Sequence, residues 1–507
     1  MTDPCFDIAV IGGGVNGCGI ARDAAGRGAK VLLLEAHDLA SGTSSASTKL
    51  IHGGLRYLEH YEFALVREAL KERETLWAIA PHLIHPLRFV LPHAPGLRPR
   101  WMLRLGLFLY DHIGGRKRLP PTETLNLRRH LAGAGLQDAY RHGFAYSDCQ
   151  VDDARLVVLN ARDAADRGAT ILTRCPVQGL EREGQNWRIE TPKASFRARA
   201  IVNAAGPAVL SLLRLSHEET DRQMRLVRGS HIVVPRLCEH GFAYFFQLPD
   251  GRIVFAIPWH EDFTLIGTTD RDHHGSLSDI EASDEEIAYL CAGVNGYFKR
   301  QIGPADEVWA FAGVRPLVDE GEGKPETATR GYKLELSPED EGPPILSVFG
   351  GKITTYRHLA ERAVEQLAKR IPELARPRWT GEVSLPGGDF DAADEPRLLA
   401  ELLTRYPYLQ PVWARRMLRA YGTRWATVLG EAASLADLGR DFGHGLSERE
   451  VRYLVAHEWA ETAEDILWRR SKLGLRFDAA QAQALTDFLD RFPASSSVRP
   501  ASTNCPS

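Results

Sequence analysis

No two cysteines in the chain form a C-x-x-C pair, and neither H-E-x-x-H nor a histidine-rich tract occurs. The seven cysteines (5, 18, 149, 175, 238, 291 and 505) are odd in number and scattered. That argues against a disulfide framework and against zinc, and for free thiols in a reducing compartment. The adjacent His273 and His274 suit a polar loop better than a metal site. No stretch reaches about 18 uninterrupted apolar residues, so no membrane-spanning helix is expected. A basic segment followed by a cleavable apolar one is missing at the start, where the first strand begins almost at once, so a cytosolic setting is expected. A surplus of one charge is lacking too. The 62 basic and 66 acidic residues leave −4, and nothing overall favours nucleic acid. What is present is an ordinary globular composition, 44% hydrophobic and 25% charged over 507 residues, with length for about three domains.

The clearest signal is Asp7 to Glu35, DIAVIGGGVNGCGIARDAAGRGAKVLLLE. Apolar Ile8 to Ile11 suits a buried strand. Gly12, Gly14 and Gly17 make G-x-G-x-x-G, with Val15 and Asn16 inside it, and a helix rich in small residues follows. A second apolar run, Val31 to Leu34, ends in Glu35, 21 positions after Gly14. With 45 glycines in the chain the triplet alone is weak. Strand, helix and acid at the right offset make it a βαβ dinucleotide fingerprint. The glycines let backbone approach a pyrophosphate at the helix N-terminus, and Glu35 can take ribose hydroxyls.

The segment from Ser41 to Tyr57 follows, crowded with hydroxyls and glycines; it carries Ser44, Ser45, Lys49, His52 and Arg56 and can wrap a long cofactor. A helix is expected over about Glu62–Ala80, stopped by Pro81. Trp101 to Tyr110 has one charge in ten residues and basic flanks (Arg98, Arg100, Arg116, Lys117, Arg118). A buried helix and an interfacial one both fit, core being the commoner case. Residues 161–173 echo residues 21–33 and suggest another αβ unit of the same domain. Gly206, after a strand ending at Asn203, allows close approach to a ligand. Short β-rich runs at His231–Pro235, Tyr244–Leu248, Arg252–Ile257 and Thr264–Gly267 suggest an inserted antiparallel sheet. The chain then returns through Ile345–Phe349, Gly350, Gly351 and Lys352 into a helix from about Thr354. Beyond about residue 395 it turns all-helical, with a capping box at Ser447 and Glu450. Residues 494–507 have the composition of a disordered tail.

Several blocks together are specific to one family: SSASTKLIHGGLRYLEHYEF, FAYSDCQVDDARLV, GSHIVVP, IGTTD, GVRPL and FGGKITTYR. From the first strand to about residue 475 the chain resembles the FAD-dependent, quinone-linked glycerol-3-phosphate dehydrogenases, within the D-amino-acid oxidase-like flavoproteins. The resemblance implies an α/β fold in three parts: a discontinuous Rossmann-like FAD-binding domain, a mainly antiparallel substrate sheet and a C-terminal helical domain. The corresponding boundaries are 1–75, 146–210 and 336–385 for the first, 76–145 and 211–335 for the second, and 386–493 for the third. The implied reaction takes sn-glycerol 3-phosphate to dihydroxyacetone phosphate, with FAD as cofactor and a membrane quinone as acceptor. An oxygen-using glycerol-3-phosphate oxidase, or an FAD oxidoreductase of another small phosphorylated or carboxylated substrate, stays open. Peripheral attachment to the inner face of the cytoplasmic membrane is implied, and a homodimer is left open.

A phosphate dianion favours the bidentate fork of arginine. Arg315 and Arg56 are the first choices, then Arg330. Tyr57, His231 and Thr268 are carried over as polar substrate contacts. Lys352, between a glycine pair and a helix start, can stabilise negative charge on reduced flavin or on the forming alkoxide. Arg315, Lys352 and His52 make the expected catalytic set, with His52 or His231 open as general base. Cofactor contacts are expected from Gly12, Gly14, Val15, Asn16, Gly17, Glu35, Ser44, Ser45, Lys49 and His52, and from Gly206, Gly351 and Thr354 beside the flavin ring. No metal is expected.

Overall fold

The computed structural model describes residues 5–93, 98–115, 118–218, 220–278, 280–318 and 331–491. Arg330, Arg116, Lys117, Cys505 and the expected tail lie outside the described residues.

The two apolar runs of the fingerprint form neighbouring parallel strands, Cys5–Ile11 and Val31–Leu34. They read as continuous rather than alternating because both faces of their sheet are covered. On one face the helix Val15–Gly26 packs against Asp153–Asp166 and Tyr356–Leu367. Small residues make that packing close: a Cβ on Gly19 would come 2.8 Å from a Tyr356 ring carbon. The other face is covered by Leu180, Trp187 and the short helix Val209–Leu215. In order, the sheet runs Tyr332–Leu336, Ile345–Gly350, Ser195–Asn203, Cys5–Ile11, Val31–Leu34 and Thr170–Leu172, so segments far apart in sequence build one layer. The echo at 161–173 falls in the helix Asp153–Asp166 and the strand Thr170–Leu172, which pairs in parallel with Val31–Leu34.

A ten-stranded sheet carries the expected β-rich runs. It is antiparallel except where Ala243–Gln247 runs parallel to Ile84–Pro92. The expected strand at His231–Pro235 is the end of a longer one, Met224–Pro235. Its first half carries Arg225 and Arg228, whose charges are met by Asp272 (2.6 Å) and Glu286 (2.8 Å).

The C-terminal helices Glu395–Arg405, Pro411–Tyr421, Glu448–Glu458 and Ala479–Leu489 enclose their own core, with Leu402, Met417, Leu454 and Leu485 fully buried or nearly so. Ser447 caps its helix by accepting from Glu450 N (3.3 Å). The expected capping box goes no further: the buried Glu450 carboxylate takes Arg416 (2.6 Å) and Tyr421 (2.8 Å) instead. Buried ion pairs bind this layer to the parallel-sheet layer, Arg155 to Glu458 and Arg470 to Asp38 (2.7 Å). Removing one partner of such a pair typically costs about 3–5 kcal/mol, because the other charge stays buried.

The apolar stretch at Trp101–Tyr110 belongs to the helix Arg100–Ile113. Only Leu107 and Tyr110 of that helix are buried, while Trp101 is 66%, Leu105 51% and Phe108 50% exposed. The core alternative fails for this helix: Trp101, Leu105 and Phe108 recur at i, i+4 and i+7, a face of their own. Among the described residues, no helix is long and apolar enough to cross a membrane.

Candidate active site

Both ends of the first strand pair converge on the glycine loop. Gly12 turns at φ +115°, and a Cβ there would overlap Ala204 O; one on Gly17 would overlap Gly12 O. These two positions are therefore closed to any larger residue. Gly13 N donates to Glu35 Oε2 (2.6 Å), and His37 N donates to Glu35 Oε1 (2.8 Å). The helix begins at Val15 with no capping side chain from Gly14; Val15 N donates instead to Ser44 Oγ (3.0 Å), drawn in from the hydroxyl-rich segment. Asn16 Nδ2 donates to Gly350 O (3.2 Å), while Asn16 Oδ1 is buried with no hydrogen-bond partner among the described residues. Gly351 (φ +105°) comes so near that a Cβ would sit 2.8 Å from Asn16 Nδ2. Thr354 Oγ1 accepts from His52 N (3.3 Å). Gly206, at φ +58°, ends the approach from the strand Ser195–Asn203.

The Lys49 Nζ is buried on Asp153 (2.9 Å) and Ser45 O (2.8 Å), the residue being 1% exposed, so its ammonium anchors the wrap from beneath. A buried ammonium needs a carboxylate, and Asp153 at a helix start supplies it.

On the ten-stranded sheet a small pocket of about 70 Å³ collects His52, Arg56, Tyr57, Thr268 and Asp270, with Phe89, Tyr146 and Phe255 as apolar wall. Arg315 enters this group through its partners: it forms an ion pair with Asp270, and its Nη2 donates to Thr268 Oγ1 (2.9 Å). Its guanidinium lies across Gly229, where any Cβ would collide with it. The Lys352 ammonium stands 3.9 Å from the centre of the Tyr57 ring. Arg56 Nη2 donates to Gly251 O (3.3 Å). His52 Nδ1 accepts from Gly54 N (3.1 Å), which leaves the proton of a neutral ring on Nε2.

His231 is placed elsewhere. It is fully buried, stacked on Phe311 at 4.9 Å and bonded to Thr48 Oγ1 through Nε2 (2.9 Å). Burial first, then Arg315 and Lys49, push its pKa well below the usual histidine value. It does not line the small pocket, although it lies on the same sheet face as Phe255; Gly267, paired with both and with no Cβ, leaves room for its ring.

Sequence reasoning passed over Asp148, although it lies within a quoted block. The carboxylate is 2% exposed and accepts from Tyr110 OH (2.8 Å), Arg73 Nη1 (2.6 Å) and Gly53 N (3.4 Å). Burial pushes its pKa up, against the pull of Arg73. It fixes the Gly53-Gly54 turn on which His52, Arg56 and Tyr57 depend. An acid inside an apolar strand run was the available signal. Asp270, also inside a quoted block, was missed in the same way.

Two family models match: "FAD dependent oxidoreductase" over residues 7–357 and "C-terminal domain of alpha-glycerophosphate oxidase" over residues 378–492. The chain belongs to the FAD-dependent oxidoreductase family. A glycerol-3-phosphate dehydrogenase of Pseudomonas aeruginosa is 52% identical over 490 residues, 96% of this chain and 95% of that protein. A D-erythritol 1-phosphate dehydrogenase of Brucella abortus is 51% identical over 498 residues, 97% of this chain and 99% of that protein. Among solved structures, a glycerol-3-phosphate dehydrogenase from Bacillus halodurans complexed with FAD matches with a TM-score of 0.74 at 26% identity, covering 97% of this chain and 95% of that one. FAD suits what this FAD-dependent oxidoreductase presents. Gly12 and Gly17 leave no room for a side chain, the helix N-terminus carries no charged cap, and Asn16 Oδ1 has no partner among the described residues.

Proposed function

We propose that this protein oxidises sn-glycerol 3-phosphate to dihydroxyacetone phosphate and hands the electrons to a membrane quinone. The observation that carries the substrate is the half-identity, over nearly the whole of both chains, to a glycerol-3-phosphate dehydrogenase. Bound FAD supplies the acceptor for the hydride leaving C2.

In this reading Arg315 takes the substrate phosphate, with Arg56 lining the same pocket; Arg330, the third choice, lies outside the described residues. The ion pair with Asp270 orients the Arg315 fork before substrate arrives, which lowers the cost of binding. Thr268 and Tyr57 hold the remaining polar groups. Lys352, beside the Tyr57 ring, stabilises negative charge developing on the C2 oxygen. His52 serves as a donor through Nε2, because its Nδ1 is already an acceptor for Gly54 N. His231, buried between Phe311 and Thr48, is a positioning residue. Gly12, Gly14, Gly17, Glu35 and the Ser44 segment hold the dinucleotide, and Gly351 and Thr354 the flavin end.

The D-erythritol 1-phosphate dehydrogenase is equally close by identity, so a four-carbon polyol phosphate is the second reading. Steady-state kinetics with a soluble dye acceptor separate them. Higher kcat/KM for glycerol 3-phosphate than for D-erythritol 1-phosphate is expected; the reverse order would overturn the assignment. Slow peroxide formation beside fast quinone reduction is expected, and peroxide at the full rate would make the protein an oxidase. For membrane contact the support is the helix Arg100–Ile113, whose exposed Trp101, Met102, Leu105, Phe108 and Leu109 suit an acyl–headgroup boundary.

A further inference from the structure

A cleft of about 900 Å³ lies away from both the glycine loop and the small pocket. It opens between the C-terminal helical layer and the rest of the chain. One wall is built from the start of the strand Ile84–Pro92, the end of the strand His142–Val151 and the Trp259–Glu261 turn. The other comes from the helix Pro411–Tyr421 and the segment after Arg470.

Cations crowd the second of these walls. Arg415, Arg416 and Arg419 project from one helix, and Lys472 and Arg476 from the following segment. Three carboxylates also line the cleft, and each has a task. Asp152 caps the helix Asp153–Asp166, Glu261 pairs with Arg415 (3.0 Å), and Asp441 accepts from Gly443 N (2.9 Å). Arg416 is met by Glu450, and Arg476 by Asp262. Lys472 is different. It is 2% exposed, its ammonium donates to Trp468 O, and no carboxylate pairs with it among the described residues. Two of its three donors are left for something else. Burial, and then Lys49, bring its pKa down to about 8, although Asp152 and Asp153 pull the other way. Arg419 has only a long contact to Glu395 (3.5 Å).

Neutral polar groups of the same walls are also unsatisfied. His82 is 2% exposed, and neither of its ring nitrogens has a hydrogen-bond partner among the described residues. The Trp413 indole N–H is buried without one as well. A buried ammonium, an imidazole and an indole N–H thus stand on the walls of one cavity with hydrogen-bonding capacity that a ligand entering it can use.

We propose that this cleft is a second ligand site, for a small organic polyanion carrying phosphate or carboxylate groups. Lys472 and Arg419 supply the charge, and His82 and Trp413 the neutral hydrogen bonds. The proposal does not depend on which polyol phosphate is the substrate.

Calorimetric titration of the FAD-loaded enzyme with pyrophosphate, citrate and ATP at low salt tests it. At least one probe should bind, with the same affinity in Arg315→Lys as in wild type, since the cleft is separate from the substrate clamp. Lys472→Met and Arg419→Gln should each weaken that binding about tenfold, one ion contact's worth, while dye-linked turnover stays as in wild type. Arg419 is half exposed, so its variant keeps the fold should Lys472→Met not do so. Binding lost in Arg315→Lys and kept in both cleft variants would place the anion in the substrate pocket and overturn the proposal. So would the absence of any probe binding below about 1 mM.

Discussion

Arg315 and Asp270 form an ion pair at the edge of the small pocket, and Thr268 Oγ1 accepts a second hydrogen bond from the same guanidinium at 2.9 Å. Two groups thus fix one planar fork. Lysine keeps the charge and cannot make both contacts in that geometry. Arg315→Lys should therefore lower kcat/KM for glycerol 3-phosphate by at least about tenfold, equivalent to about 1.4 kcal/mol. Glycerol itself should be a poor substrate of the wild type. Equal turnover of glycerol and its phosphate would remove the case for an anion clamp.

A methyl group at Gly17 has nowhere to go, because it would overlap Gly12 O. Gly17→Ala should yield a folded but colourless protein, judged by circular dichroism and by the flavin absorbance per chain. Wild type should release free FAD into the supernatant on acid precipitation. Flavin retained in the pellet would indicate covalent attachment and sink the non-covalent reading.

Side chains of the helix Arg100–Ile113 divide into an anchored face and an exposed one. Leu107 is 1% exposed and Tyr110 donates to Asp148, whereas Leu105 and Phe108 stand half exposed. Leu105→Asp with Phe108→Asp should leave a yellow enzyme with normal dye activity that no longer sediments with anionic vesicles. Leu107→Asp alone should unfold the protein, since it buries an unpaired charge. Wild type that ignores such vesicles at about 0.05 M salt, where screening is weak, would end the membrane reading of this helix.

His82 carries a neutral ring in the folded protein: burial first, then Arg155 and His85, hold its pKa at about 3 against an ordinary value of 6.5. Below about pH 6.5 the unfolded chain takes up a proton that the fold refuses. Stability from this group is full above that pH and is lost as pH falls toward 3. Between pH 6.5 and 5 the loss amounts to about 2 kcal/mol. His82→Phe should therefore gain in melting temperature relative to wild type on going from about pH 7.5 to pH 5. A constant difference between the two proteins would show that His82 does not titrate in this way.

Local pattern was enough for the βαβ fingerprint, the echo at 161–173 and the helical C-terminus. Each depends on residues within about one element's reach, where apolar period and glycine position carry the information. The three-part architecture and the cofactor were legible for the same reason, with the family blocks added. What lay beyond reach depended on partners distant in sequence. Nothing local says that Lys49 is claimed by Asp153, that the His231 ring packs over Gly267, or that Asp148 holds the Gly53 turn through Tyr110. Apolar side chains on the helix Arg100–Ile113 carry the same hydropathy whether buried or bare, so composition could not choose between core and surface. Only the packed chain decides which charges meet and which apolar face is left uncovered, because both are properties of the surroundings a residue acquires on folding, not of the residue itself.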